Sequence, residues 1–427
     1  MIETIRNAWK IEDLRKKLIY TMMILVVVRL GSAIPVPFLD PNMLKAMVGS
    51  SGNLLGYLDI LSGGAFSNAT LFALSISPYI TSSIVMQLLT VAIPALERMA
   101  KSGEDGQAKI KKITRYTTVA LALLQAFAFW TMFRGMGALQ YTSGVSGVIA
   151  AITIVSMFTA GSMVIIWLGE RIDEKGIGNG ISLILFVGIV SRGPNAVIKL
   201  VKQFLIGGSN YVWVPLIAIV FILLIGFIVV MNSAERRIPV QYAKRVVGRK
   251  MYGGQSSFIP IKVSMSGVLP IIFASTFLAI PGTIAGFVQP DPNSFWGQFL
   301  NAFNYNTWLY AVLYFVLIIA FNYFYIAIQY NPIEMANNIR KNNGAIPGIR
   351  PGKPTSDFIS RIIAKITLVG ALMLAVIAIL PIGIGAVSGV NVALGGTSVI
   401  ILVGVALDTV RSLESQMMMR HYKGFLE

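Results

Sequence analysis

The chain of 427 residues contains no cysteine and one histidine, His421, close to its end. Without cysteine there is no disulfide framework, no thiol nucleophile and no thiolate metal ligand. With a single histidine in the tail, the commonest general base is missing from the body of the protein. Charge is scarce as well. Only 12% of residues are Asp, Glu, Lys or Arg, against roughly a quarter in soluble domains. Acidic residues number 18 against 35 basic ones, a net charge of +17. Within the apolar runs the main charges are Arg29 and Asp408, both toward the ends of their runs. Ion-coupled transporters usually carry ionisable groups near the midplane, so this poverty counts against one. A removable signal peptide is also not expected: seventeen charge-rich residues lead the chain, and the first apolar run is a full span.

What the chain has in quantity is apolar length. Hydrophobic residues make up 55%, and several runs approach or exceed eighteen residues, the mark of a polytopic membrane protein. Ten spans are expected, near residues 18–35, 71–94, 116–133, 148–168, 181 onward, 212–231, 265–287, 308–329, 362–381 and 398–410. The fifth is the weakest, because Ser-Arg-Gly-Pro (191–194) interrupts it. Two long basic loops, 232–262 and 330–361, separate later spans. With the N-terminus in the cytoplasm, 29 of the 35 Lys and Arg fall on the cytoplasmic side, as the positive-inside rule requires. The other six are Arg29, Lys45, Arg134, Arg192, Lys199 and Lys202.

Residues 53–90 break the pattern. A short apolar piece is followed by Gly63-Gly64, then small and polar residues, then a run starting near Leu71 with Pro78 in its first half. Irregular backbone at membrane depth is tolerated only where protein buries it or where it lines a water-filled cavity. The stretch therefore reads as part of a channel mouth, or as the broken helix of a solute transporter. Asp59 is its single charge, and no feature of the sequence fixes a resting pose. Span seven echoes it weakly: Val-Leu-Pro-Ile-Ile (268–272) matches Ile-Ser-Pro-Tyr-Ile (76–80), as inverted repeats would. Ile76 and Ile80 lie four apart, as do Ile181 and Leu185. Branched aliphatics on a pore face would form a constriction that gates by dewetting. The same spacing is met, more simply, by packing between helices or against lipid.

Three near-motifs carry no chemistry. Gly144-Val-Ser-Gly147 has no base near it in the chain to activate the serine. Residues 348–355 resemble a phosphate loop, but Pro347 stands where its first glycine belongs and Pro354 cannot donate an N–H. Gly176-Ile-Gly-Asn-Gly180 follows no strand, so it is no dinucleotide fingerprint. No catalytic centre, metal, cofactor or small-molecule substrate is expected, so energy must come from a partner.

Longer motifs are more specific. They include SGGAFSNATLFALSISPYITSSIVMQLLT (62–90), KSGEDGQAKIKKITRY (101–116), LGERIDEKGIGNGISLILFVGIV (168–190) and AKRVVGRKMYGGQSSFIPIKVSMSGVLPIIFAS (243–275). NPIEMANNIRKNNGAIPGIRPGKPT (331–355), GGTSVIILVGVALDT (395–409) and MMMRHYKGF (417–425) continue the match. Across essentially its whole length the chain resembles the SecY family, the central subunit of the bacterial protein-conducting channel. The resemblance implies an all-α polytopic fold of ten transmembrane helices in two pseudo-symmetric, inverted five-helix halves (1–200 and 201–427) around an hourglass pore. It implies a plug at about 54–70, with Leu54, Leu55, Leu58 and Leu61 apolar and Gly63 and Gly64 as hinge. It places a hydrophobic pore ring on Ile76, Ile80, Ile181, Leu185, Ile272 and Ile401. A lateral gate between spans two–three and seven–eight would release apolar segments into lipid. Docking of the ATPase SecA or a translating ribosome falls on Arg249, Lys250 and Arg350. The resemblance further implies the small subunits SecE and SecG, preproteins bearing signal sequences as cargo, and a bacterial plasma membrane location with both termini cytoplasmic. The thirteen basic residues in and around the two long loops independently suit an anionic partner.

Overall fold

The computed structural model describes residues 2–50, 59, 62–135, 137–207, 210–242, 245–247, 250–252, 256–288, 294–301, 303, 307–388 and 396–423. The chain opens with α1 (Ile2–Lys10), α2 (Glu12–Gly31) and α3 (Pro41–Ser50). Next come α4 (Ser77–Ala92), α5 (Pro94–Lys101), α6 (Glu104–Gly135), α7 (Gly144–Lys175), α8 (Gly180–Ile206) and α9 (Asn210–Ser233). Four strands follow, β1 (Glu235–Tyr242), β2 (Arg245–Val247), β3 (Lys250–Tyr252) and β4 (Ser256–Lys262). The remainder is α10 (Leu269–Val288), α11 (Phe295–Asn301), α12 (Trp308–Gln329), α13 (Pro332–Lys341), β5 (Gly344–Ala345), α14 (Lys353–Ser388) and α15 (Gly396–Lys423).

The protein is a multi-pass, essentially helical membrane protein. Among the described residues, seven helices are long and apolar enough to cross a bilayer: α6, α7, α8, α9, α12, α14 and α15. The α4–α5 pair, bent by 102° at Ile93-Pro94, makes an eighth. α10, of 20 residues, is about 30 Å long at 1.5 Å per residue, enough for a hydrocarbon core, while α2 begins with Glu12, Asp13, Arg15, Lys16 and Lys17 and is largely apolar from Leu18 onward. The total is consistent with ten spans. Both chain ends meet on one face: Thr4 donates to Glu414 Oε1 (3.2 Å) and Lys17 to Gln416 Oε1 (3.4 Å).

Three sequence expectations need correction. α8 runs unbroken through 191–194, with Pro194 inside it. One proline removes one ladder bond, and helices in a membrane absorb that loss where neighbours satisfy the freed group. Span two does not begin its helix near Leu71. Residues 62–76 form consecutive turns, and α4 starts at Ser77 with Pro78 in its first turn, where its missing N–H costs nothing. α10 likewise starts at Leu269 rather than 265, with Pro270 as its second residue and turns before it. The two echoing prolines thus open both helices rather than kinking them.

The long basic stretches are folded, not loose. β1 pairs antiparallel with β4, from Glu235↔Lys262 to Gln241↔Ser256. On its other edge β1 takes β5, through Gln241↔Ala345 and Tyr242↔Gly344, so one sheet of order β4–β1–β5 joins loop 232–262 to loop 330–361. Ile238 and Val240 alternate inward along β1 and pack with Ile261, Ile339, Ile346 and Ile359 in a core of their own. α14 begins nine residues before the expected span and carries it out to this unit.

Candidate pore constriction

Five of the six ring positions meet in one apolar cluster. Ile76, Leu185 and Ile401 are buried members, and Ile80 and Ile181 pack against them from its margin. The cluster draws on α2, on the turns at 65–72, on α7 and α8, and on α15 from the far end of the chain. Each ring residue sits near a helix start, which fixes its direction. Ile76 caps α4, and the Ile80 N–H donates to its carbonyl at 3.0 Å, closing the first turn. Ile181 and Leu185 open α8. There the Asn179 side chain caps Ser182 N–H (2.9 Å), and Asp173 accepts from Gly180 N–H (2.7 Å). A Cβ on Gly180 would lie 2.1 Å from the Gly169 carbonyl oxygen, so the two glycines let α7 and α8 cross closely just below Ile181. The Gly176–Gly180 motif is therefore a tight connection between helices, with Gly178 at φ 77° and Ile177 N–H donating to Thr21 Oγ1 (3.2 Å).

Ile272 stands in the first turn of α10 and is 9% exposed. It is outside that buried cluster but shares a cavity of about 510 Å³ with Leu185 and Ile401. Its lining mixes polar residues, among them Lys262, Tyr330, Asp408 and Arg411, with apolar ones such as Met265, Leu269 and Ile363. A second cavity of about 360 Å³ shares Asn179, Ser182, Val405 and Asp408 with it. The arrangement is a vestibule of mixed lining, beside β4, that reaches three of the six ring positions.

Residues 62–76 adjoin the cluster as buried turns. Ala65 and Phe72 belong to it, while Phe66, Ala69, Ala73 and Leu74 are buried in a neighbouring cluster with Phe133, Ile154 and Phe158. Ala69 and Ser75 hold positive φ (51° and 49°), a conformation that costs non-glycine residues energy and persists only where packing enforces it. The packing comes from α7. Ser162 Oγ donates to the Ser75 carbonyl at 3.0 Å, and a Cβ on Gly161 would come within 2.0 Å of the Leu71 carbonyl oxygen.

Of the two glycines expected as a hinge, Gly63 is closely confined and Gly64 is not. Gly63 lies against Gly188, with 2.7 Å from a would-be Cβ to that Cα, and its carbonyl accepts from Arg29 Nη1 (3.4 Å). Asp59, 1% exposed, pairs with Arg192 on α8 and accepts from Ser67 N–H (2.8 Å). The one charge of the stretch, which the sequence reading left without a role, thus ties it to α8. The signal was available: Arg29 and Arg192 are two of the six basic residues that defy the cytoplasmic bias. Leu54, Leu55, Leu58 and Leu61 lie outside the described residues.

Of the docking positions, Arg350 is exposed on a turn between two positive-φ glycines, Gly348 and Gly352, held by Thr355 Oγ1 donating to the Arg350 carbonyl (2.8 Å). Arg249 lies outside the described residues. Lys250 begins β3, whose short pairing with β2 tips the hairpin.

A family model described as SecY matches residues 70–410. The protein translocase subunit SecY of Streptomyces galbus is 43% identical over 442 residues, with all of both chains covered. That of Thermotoga maritima is 41% identical over 443 residues, covering 100% of this chain and 98% of the relative. Among solved structures, one described as a protein conducting channel superposes with TM-score 0.67 at 19% identity, covering 94% of this chain and 92% of the other. Sec61 in the canine ribosome–channel complex superposes with TM-score 0.63 at 19% identity and the same coverage.

Proposed function

Because the chain belongs to the SecY family, we propose that it is the pore-forming subunit of a protein translocase, a passive channel rather than an enzyme. Unfolded polypeptide enters from the vestibule and passes the ring of Ile76, Ile80, Ile181, Leu185, Ile272 and Ile401. The observation that carries this reading is the meeting of helix starts from both ends of the chain in one aliphatic constriction. Beside it lie a cavity that reaches three of the ring residues and the buried turns at 62–76. An aliphatic ring offers no hydrogen bonds, so it seals against water yet passes any side chain. Residues at about 54–70 act as the plug.

The chain divides into halves at about residue 200, and separation of α4 and α6 from α10 and α12 opens the pore sideways. A signal or anchor segment of roughly 20 apolar residues then partitions into lipid, driven by removal of apolar surface from water. The sheet unit with Arg249, Lys250 and Arg350 is the docking platform for SecA or the ribosome. A relative, Sec61, is seen in a ribosome–channel complex, and the basic surface suits ribosomal RNA or an acidic protein face. SecE and SecG complete the assembly, in a bacterial plasma membrane with both termini cytoplasmic.

The test is a stalled secretory chain carrying a photocrosslinker. It should label this protein at residues 76 and 272. A fully engaged chain that labels neither position, while both react with a water-borne probe, would refute the channel reading.

A further inference from the structure

We propose that Asp59 and Arg192 form an ion-pair latch that sets how strong a signal segment must be to open the channel. The inference rests on the channel reading and assigns two residues outside the ring and the docking surfaces as determinants of cargo stringency.

The geometry is a closed loop built on one carboxylate. Asp59 Oδ1 accepts from Ser67 N–H (2.8 Å) and Oδ2 pairs with Arg192 Nη2. The Asp59 carbonyl accepts from Gly64 N–H (2.9 Å) and Ser62 Oγ (3.1 Å). Arg192 also reaches Ser67 Oγ (3.5 Å). Asp59, through its carboxylate and its backbone carbonyl, therefore links residues 62–67 to one another and to α8. Four residues earlier on α8, Gly188 admits the backbone of Gly63, and from α2 Arg29 donates to the Gly63 carbonyl. In the channel reading, displacement of Asp59 and residues 62–67 precedes passage of a chain.

Asp59 is almost fully buried, and Arg192 is largely so, with 28% of its side chain exposed. Such a pair contributes little net stability when intact, but separating its members leaves two poorly solvated charges. The apolar turns alone would yield gradually as a signal segment wedges in. The ion pair adds a discrete threshold, because its strength falls off over the first few ångströms of movement.

The experiment compares wild type, Asp59→Asn, Arg192→Gln, Arg192→Lys and the double variant that combines Asp59→Asn with Arg192→Gln, each in the complete translocase. Two quantities are read: resting ion conductance in planar bilayers, and export of a reporter with a defective signal sequence. Each neutralising single substitution should raise both by about tenfold or more. The double variant should be no leakier than the leakier single, since both singles break the same pair. Arg192→Lys should stay within about twofold of wild type, because the ammonium still reaches the carboxylate. If Arg192→Gln fails to accumulate, Asp59→Asn carries the test, since it preserves volume and the Ser67 bond. Wild-type tightness in Asp59→Asn, additive effects in the double variant, or Arg192→Lys as leaky as Arg192→Gln would each overturn the latch. Ile401→Asn, run alongside, separates the two readings. If it opens while the latch variants stay tight, only the latch fails; if it too stays closed, Ile401 leaves the ring, and the crosslinks to residues 76 and 272 decide the channel reading.

Discussion

Replacing Ile401 with Asn puts an amide into the constriction at nearly constant chain length. Ile401 is 2% exposed and shares its cluster with Ile76, Leu185, Leu183, Ile189 and Val405. Losing burial of an isoleucine forfeits about 1.5–3 kcal/mol. An amide without a hydrogen-bond partner among these hydrocarbons adds about 1–3 kcal/mol. The sealed packing is thereby weakened by about 3–6 kcal/mol, and the polar part shrinks if water from the adjoining 510 Å³ vestibule follows the side chain in. At 1.4 kcal/mol per decade, the balance between sealed and wetted constriction shifts by at least about 10²-fold. The measurable consequence is a relaxed signal requirement. Export of a reporter with a crippled signal, scored as the ratio of processed to precursor protein, should rise by an order of magnitude or more. Ile401→Leu, a volume-conserving change costing under about 1.5 kcal/mol, should leave stringency close to wild type. An Asn variant present at normal level with an unchanged signal requirement would remove Ile401 from the ring. It would also reduce the isoleucine spacing to ordinary helix packing.

Arg350→Glu should abolish most export, by about tenfold or more, while the protein itself inserts and accumulates normally, because an exposed like charge at a docking site costs several kcal/mol; full export would remove Arg350 from the partner surface. Gly161→Val drives a side chain toward the Leu71 carbonyl, at a site where even a Cβ would lie 2.0 Å from that oxygen. Overpacking of about 1–3 kcal/mol should lower the unfolding midpoint in detergent by about 2–6 °C, and a midpoint at or above wild type would contradict the packing described. Asn322, 1% exposed on α12, accepts from Ser266 Oγ and donates to the Thr367 carbonyl (3.1 Å). Asn322→Ala strands both partners and should cost about 1–3 kcal/mol. Combining it with Ser266→Ala should cost less than the two separately, a cycle readable by denaturant unfolding in detergent.

Which stretches form long apolar helices, and which loops concentrate the basic residues, were legible in the residues. Those properties are local: an apolar run must leave water wherever the rest of the chain goes, and lysine or arginine biases a loop whatever it touches. The four-residue spacings of Ile76/Ile80 and Ile181/Leu185 were legible too. That they face one another was not, because spacing places side chains on a helix without saying which helix lies opposite. Only the tertiary structure brought Ile401 to Ile76, across more than 300 residues of chain. It also decided three things that local signals misstate. Residues 62–76 are turns rather than the start of a helix, because α7 buries their polar backbone through Ser162 and lets it approach at Gly161. The two basic loops are one folded unit, because β1 finds β5 a hundred residues away. Asp59 looked like a lone charge because its partner, Arg192, is 133 positions distant. Both charges taken singly are anomalies in an apolar setting; only their pairing makes either tolerable, and pairing is a property of the fold.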